Sequence, residues 1–230
     1  MGSNLNLNNQ IEEYINSHSI KLHPVQYEII KYNETLGEIK KMQISISQCH
    51  FLHLIVKIIK PKNILEIGTY CGKSSMYLSS GAKKNDQYVF TIDHHLGSEE
   101  HQINEEYFDD ETYDHNNKRV NTLPLLIENI NQCKAKNIVP IVADSKEISS
   151  NWISNISMLF IDGGHSYESA NNDYKYWESK IIKGGCLVIH DIYENPDEGG
   201  QAPYEIFQKA LKNNYKIYDR VDTVVCLIKS

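Results

Sequence analysis

The chain has 230 residues, 40% hydrophobic and 23% charged, with a formal net charge of −7. That length allows one sizeable α/β domain with its own core and excludes two comfortable ones. Its only arginines are Arg119 and Arg220, so it lacks the clustered cations that nucleic-acid binding or a heavily phosphorylated substrate would need.

Residues 1–42 are expected to form an N-terminal helical cap, with polar-rich amphipathic helices over 5–18 and 24–36. The main domain is expected over 43–230. Its first helix is marked by Ile46, Phe51, Leu54, Ile55, Ile58 and Ile59 at helical spacing, and Pro61 ends it. A short apolar strand, NILEIG (63–68), runs into a turn. The stretch EIGTYCGKSS places Gly68 and Gly72 between that strand and a helix over 73–82. Glycine permits a tight turn and lets a ligand approach the backbone. The helix that follows offers unpaired N–H groups. The next strand, 87–93, ends on Asp93, whose carboxylate can accept hydrogen bonds from both hydroxyls of a ribose. Turn and acid together predict a nucleoside site. A nicotinamide cofactor would favour G-x-G-x-x-G, but Tyr70 stands where the second glycine belongs. Close approach of a pyrophosphate is therefore poorly served, and S-adenosylmethionine (SAM) fits better.

Residues 94–120 form a long polar stretch. It crowds Glu99, Glu100, Glu105, Glu106, Asp109, Asp110, Glu111 and Asp114 together with Tyr107, Phe108 and Tyr113. A charge run is usually a solvated surface. A loop this long leaving the ligand end of a strand also reads as a lid over the acceptor. Its acids favour neutral or cationic acceptors. His94, His95 and His101 have no cysteine partners and read as loop residues before they read as a zinc site. His94 directly follows Asp93 and could contact either ligand.

A helix over 122–136 and a strand over 137–144 follow, ending on Asp144. Asp144 could accept from the adenine amino group or cap the next helix. The strand SMLFID (157–162) then breaks into GGHSY. A helix (167–181), a strand (184–191) and a helix (203–213) come next. Residues 215–229 read as two strands joined by a tight polar link. Strands separated by helices pair in parallel through right-handed crossovers. The last two strands are too close for a crossover and must form a hairpin. The expected fold is therefore α/β and Rossmann-like, a mostly parallel sheet with an antiparallel terminal strand and helices on both faces. Ligands bind at the carboxyl ends of such strands.

Two residues there invite chemistry. His165 is the candidate base: its ordinary pKa near 6.5 suits proton removal at neutral pH, and Gly163 and Gly164 leave space before it. The alternative is a helix cap or a bond to a backbone carbonyl. His190 precedes Asp191 and should point to the opposite face of its strand, which favours a structural role.

No apolar run approaches the roughly 20 residues needed to cross a bilayer, and no N-terminal secretion pattern is present. The cytoplasm is the expected compartment and no membrane partner is expected. Cys49, Cys71, Cys133, Cys186 and Cys226 are odd in number and form no C-x-x-C pair. Neither a disulfide framework nor a cysteine zinc site is expected.

The block from QISISQCHF through NILEIGTYCGKSSMYLSSG resembles the class I SAM-dependent O-methyltransferases of the catechol and caffeoyl-CoA type. TIDHHLGSEEHQ, LFIDGGHSYESANNDYKYW and GGCLVIHD with EGGQAPYEIF resemble a group that methylates natural products and sugars. The resemblance covers about residues 42–229 and implies a seven-stranded sheet. The cofactor residues carried on these blocks are Glu66, Gly68, Thr69, Tyr70, Gly72, Ser74, Asp93, His94, Asp144, Ser145 and Asp162. His165 stands three residues after Asp162, where the catechol-type family has a lysine. The family also implies Mg2+ or another divalent ion on Asp162 and Asp191, with an amide or third carboxylate after the second. Here Ile192 occupies that place. Without a metal, Asp162 could orient His165. Members of the family commonly form homodimers.

The resulting expectation is a SAM-dependent O-methyltransferase of secondary-metabolite biosynthesis. Its acceptor would be a hydroxyl or carboxylate of a small natural product, sugar or modified peptide. The alternatives are a nicotinamide-dependent oxidoreductase and a non-catalytic nucleoside-binding protein.

Overall fold

The structure is a computed structural model that describes residues 44–82, 87–105, 107–164 and 166–230. The expected helical cap (1–42) and His165 lie outside the described residues.

Helix α1 (Ile46–Ile59) opens with a capping box. The Ser45 hydroxyl accepts from the Gln48 N–H at 3.3 Å, and Gln48 Oε1 accepts from the Ser45 N–H at 2.9 Å. Two of the orphan donors at the helix start are thereby satisfied. The helix closes on Lys60 in the left-handed region, with Pro61 beyond it. Strand β1 (Asn63–Ile67) follows, then α2 (Lys73–Ala82) and β2 (Tyr88–Asp93). The 94–120 stretch holds two short 3-10 turns and a small antiparallel ribbon, β3 (Tyr113–Asp114) with β4 (Arg119–Val120). Next come α3 (Leu123–Gln132), β5 (Ile138–Val142), α4 (Ser145–Asn151) and β6 (Ile156–Ile161). The chain ends with α5 (Tyr167–Trp177), β7 (Ile181–Ile189), α6 (Ala202–Lys212), β8 (Tyr215–Val221) and β9 (Val224–Lys229).

Seven strands form one sheet in the order β5-β2-β1-β6-β7-β9-β8. All pairings are parallel except those of β9, which runs antiparallel to β7 and β8. The expected terminal hairpin is present, and its last strand is inserted beside β7, leaving β8 at the edge. Successive strand residues face opposite layers. Ile64, Met158, Phe160, Cys186, Val188 and Cys226 pack with α1, α2 and α3 on one side. Leu65, Ile67, Leu159, Ile161, Leu187, Ile189 and Leu227 pack with α5 and α6 on the other. Burial on both faces explains why these strands read as continuous apolar runs.

The chain leaves β1 toward β2 and β5, then returns to place β6 on the other side of β1. The strand order therefore reverses between β1 and β6, the point where open α/β sheets bind ligands. Gly68 and Asp162 leave the sheet at that point.

Candidate active site

Gly68 takes φ +88° at the end of β1. A Cβ there would lie 2.7 Å from the Gly163 backbone nitrogen and closer still to the Asp162 carbonyl. Only glycine lets these two strand ends meet. The turn closes with the Gly72 N–H donating to Thr69 O at 2.8 Å.

Asp93 holds this turn. Its Oδ2 accepts from the N–H groups of Thr69 and Tyr70, each at 2.9 Å. Its Oδ1 accepts from the His95 N–H at 2.6 Å. The acid expected at a ribose thus also pins the glycine turn to the end of β2. Charge-assisted bonds of this kind contribute roughly 1.5–3 kcal/mol each.

Glu66 lies beneath the turn and is fully buried. Its Oε1 accepts from Ser74 Oγ at 2.6 Å, and its Oε2 accepts from Thr91 Oγ1 at 2.7 Å and from Ser75. Thr69 and Thr91 hydroxyls bond each other above it. Glu66 and Ser74, both expected at the cofactor, therefore tie the start of α2 to the sheet. Burial raises the Glu66 pKa first; three hydroxyl bonds oppose this, and the nearby Asp162 charge adds to it, for a value of about 7 against an ordinary 4.5. The folded protein binds this proton more tightly than the unfolded chain does. The stability from that proton is fully present below pH 4.5 and is lost as pH rises through 7. The shift corresponds to about 3 kcal/mol. Glu66→Gln is expected to flatten stability between those pH values, measured by urea denaturation across the range; an unchanged slope would assign the dependence elsewhere.

Tyr70, with φ +48°, sets its ring 5.3 Å from His101, which lies 6.4 Å from Tyr107. The 94–120 stretch thus rests on the glycine turn. His94 receives the Leu96 N–H at Nδ1 and stands 3.8 Å from Asp93. His95 is buried with Nδ1 on Thr122 Oγ1 at 2.7 Å, a packing role.

Asp144 caps α4, its Oδ1 accepting from the Lys146 and Glu147 N–H groups at 2.9 and 3.2 Å. Next to it, Ser145 donates to Asp173 on α5. A Cβ on Gly163 would lie 2.7 Å from the other Asp173 oxygen. Asp173 therefore ties the start of α4 to α5 and lies close against Gly163 in the loop after β6. Burial, and then the charges of Asp144 and Asp93, raise its pKa to about 6 against the lowering bond from Ser145. Sequence reading missed Asp173 because an acid inside a helix resembles any surface residue; its signal was its place on the inward side of α5 beside Tyr174 and Trp177.

Asp162 is not placed against Asp191 alone. Register pairs Ile161 with Ile189, and the His190 N–H continues the ladder by donating to Ile161 O. Asp162 and His190 are consequently neighbours on one face. His190 Nδ1 lies 2.7 Å from Asp162 Oδ1. Asp191 takes φ +57° past the strand end, and its Oδ2 comes within 3.3 Å of the same nitrogen. His190 Nε2 lies 3.3 Å from Gln48 Oε1. The expectation that His190 points away from the site is corrected: alternation stops at Ile189, and the left-handed Asp191 folds its carboxylate back. Burial would lower the imidazole pKa, but the charges and hydrogen bonds of Asp162 and Asp191 outweigh it and hold the proton to about 10. Among the described residues, Asp162, His190 and Asp191 form the one group of three acids and histidines whose ligand atoms lie close enough for a metal ion. Ile192, where the family has a further donor, is fully buried.

A seven-stranded sheet whose last strand is antiparallel, with a left-handed glycine at its switch point and an acid closing the next strand, is the layout of the class I methyltransferase fold. A family model described as a methyltransferase domain matches residues 65–192, more than half of the 230 residues. The chain belongs to that family and is a class I SAM-dependent O-methyltransferase. Catechol O-methyltransferase of Niastella koreensis is 23% identical over 193 residues, spanning 80% of this chain and 75% of that protein. The SAH-bound methyltransferase PaMTH1 of Podospora anserina superposes with a TM-score of 0.71 at 14% identity, covering 100% of this chain and 97% of that one. The SAM complex of TomG, an O-methyltransferase of Streptomyces achromogenes involved in tomaymycin synthesis, gives a TM-score of 0.63 at 16% identity over 96% of each chain. These two structural likenesses concern the fold. No described helix is long and apolar enough to cross a membrane.

Proposed function

We propose that the protein methylates an oxygen of a small natural product, sugar or modified peptide in secondary metabolism. The observation that carries this reading is the meeting of the Gly68 turn with the Asp162–Gly163 loop at one end of the sheet. A cofactor on the turn and an acceptor on the loop would face each other across it. The likeness to TomG supports a natural-product acceptor, as does the resemblance of the IDGGHSY block.

In this reading the acceptor oxygen attacks the methyl carbon in line as the carbon–sulfur bond breaks. The electron pair stays on sulfur, which becomes the neutral thioether of S-adenosylhomocysteine (SAH). Much of the acceleration comes from holding the two reactants in contact. His165, which follows Gly164 in this loop, removes the hydroxyl proton. Asp93 has lone pairs enough to receive ribose hydroxyls while it holds the turn. Asp144 and Ser145 lie at the adenine edge. The acidic 94–120 stretch covers the acceptor and favours a neutral or cationic one. A divalent ion takes no part in this reading, because the carboxylates expected to hold it are already joined by His190. A homodimer in the cytoplasm belongs to the same proposal.

Turnover of SAM against a panel of hydroxyl- and carboxylate-bearing natural products, sugars and peptides tests the reading. Oxygen methylation of at least one is expected; SAH formation with none of them, or methyl transfer only to nitrogen, would overturn it.

A further inference from the structure

The Asp162–Asp191 pair is where a hard cation is implied by the family, and the residues present do not suit one. Mg2+ selects carboxylate, carbonyl and water oxygens over imidazole. Here the third group is the His190 ring, and its Nδ1 makes a direct 2.7 Å contact with Asp162 Oδ1, too short to admit an ion between the two atoms. The other ring nitrogen is also committed. Gln48 Oε1 must be an acceptor, because the same oxygen receives the Ser45 N–H at 2.9 Å. The Gln48 amide nitrogen, in turn, faces Thr223 Oγ1 at 2.8 Å and Asp222 Oδ2 at 3.4 Å. This bonding pattern fixes the amide orientation. His190 Nε2 therefore donates to Gln48, while among the described residues the partners of Nδ1 are the carboxylate oxygens of Asp162 and Asp191. Both ring nitrogens have acceptors as partners, which is the pattern of a doubly donating imidazolium.

We propose that His190 is a built-in cation: it occupies the position between Asp162 and Asp191, offsets one of their two negative charges, and leaves the protein without a divalent metal there. Gln48 is the positioning residue that aims the ring. The capping box of α1 and the β8–β9 turn, through Ser45 and Thr223, keep Gln48 in place. The inference concerns metal binding, so it does not depend on which acceptor is methylated.

Electron paramagnetic resonance of Mn2+ added to the full chain tests it, because bound Mn2+ loses the sharp spectrum of the free ion. The wild type is expected to leave millimolar Mn2+ free, and to bind SAH equally with and without a chelator. Removing the ring exposes two adjacent carboxylates. His190→Ala is therefore expected to bind Mn2+ at least about tenfold more tightly than the wild type, since close charge pairs are coupled by more than a kilocalorie. His190→Gln, which keeps most of the volume, provides the same comparison should the alanine variant fold poorly. A wild type that binds Mn2+, with the site lost in His190→Ala, overturns the proposal and makes His190 a ligand. Equal, absent binding in wild type and in both folded variants overturns it too, because then His190 is not what keeps metal out.

Discussion

Replacing Gly68 by alanine is expected to cost about 3 kcal/mol or more and to abolish SAH binding. Two costs combine. The backbone at φ +88° is strained for any residue with a Cβ, by about 1–2 kcal/mol. The added methyl would also press on the Asp162–Gly163 backbone, with Gly163 N at 2.7 Å. Backbone cannot rotate away as a side chain can, so β1 and β6 must part at the switch point. At roughly 2–4 °C per kcal/mol for a chain this size, Tm should fall by about 10 °C. Gly184→Ala separates the two costs. Gly184 is also left-handed, at φ +76°, but a Cβ there meets nothing within 4 Å. It should show the smaller backbone cost alone and keep SAH binding. Thermal melts and calorimetry on both variants measure the difference; equal melting points would mean that the close approach at Gly68 carries no weight.

His165→Ala should lower kcat by about 10²–10⁴, the usual contribution of a positioned general base. SAH affinity should hardly change, because the base acts on the acceptor side. The ratio of these effects is informative. A residue needed only for packing would weaken cofactor binding and lower Tm together with kcat. A general base lowers kcat alone, and raising the pH restores part of the rate as the hydroxyl ionises without help. Steady-state kinetics across pH measure this. A loss of less than about tenfold would remove His165 from the chemistry. It would point to an acceptor that is already ionised, such as a carboxylate.

The glycine turn, Asp93 and the order of strands and helices were legible in the chain because their signals are local. Turn chemistry, capping and apolar periodicity are written within a few neighbouring residues, and the helix over 73–82 and the terminal hairpin follow from them. The α4 helix was foreseen only as the helix Asp144 might cap and was given no bounds, because its seven residues are mostly polar and bury little. The ribbon at Tyr113–Asp114 and Arg119–Val120 was passed over because two-residue strands carry no period. The support roles of Glu66 and Asp144 were not separable from ligand roles, since a carboxylate accepts hydrogen bonds from hydroxyls, backbone or nucleoside alike.

By itself, then, the sequence determined that a mostly parallel sheet would present a glycine turn, a strand-ending acid and an acidic, histidine-bearing stretch at the carboxyl ends of its strands. Only the tertiary structure decided which groups meet there. His190 reaches Asp162 because the last residues of β6 and β7, Ile161 and Ile189, are paired, and it reaches Gln48 across 142 residues of chain. Asp173 and Ser145 join α5 to α4 by the same kind of distant contact. Such partnerships depend on which strands lie side by side and at what offset. A one-residue slip would turn every side chain of a strand to the other face. Register is set by packing of the whole core, which no short stretch of sequence contains.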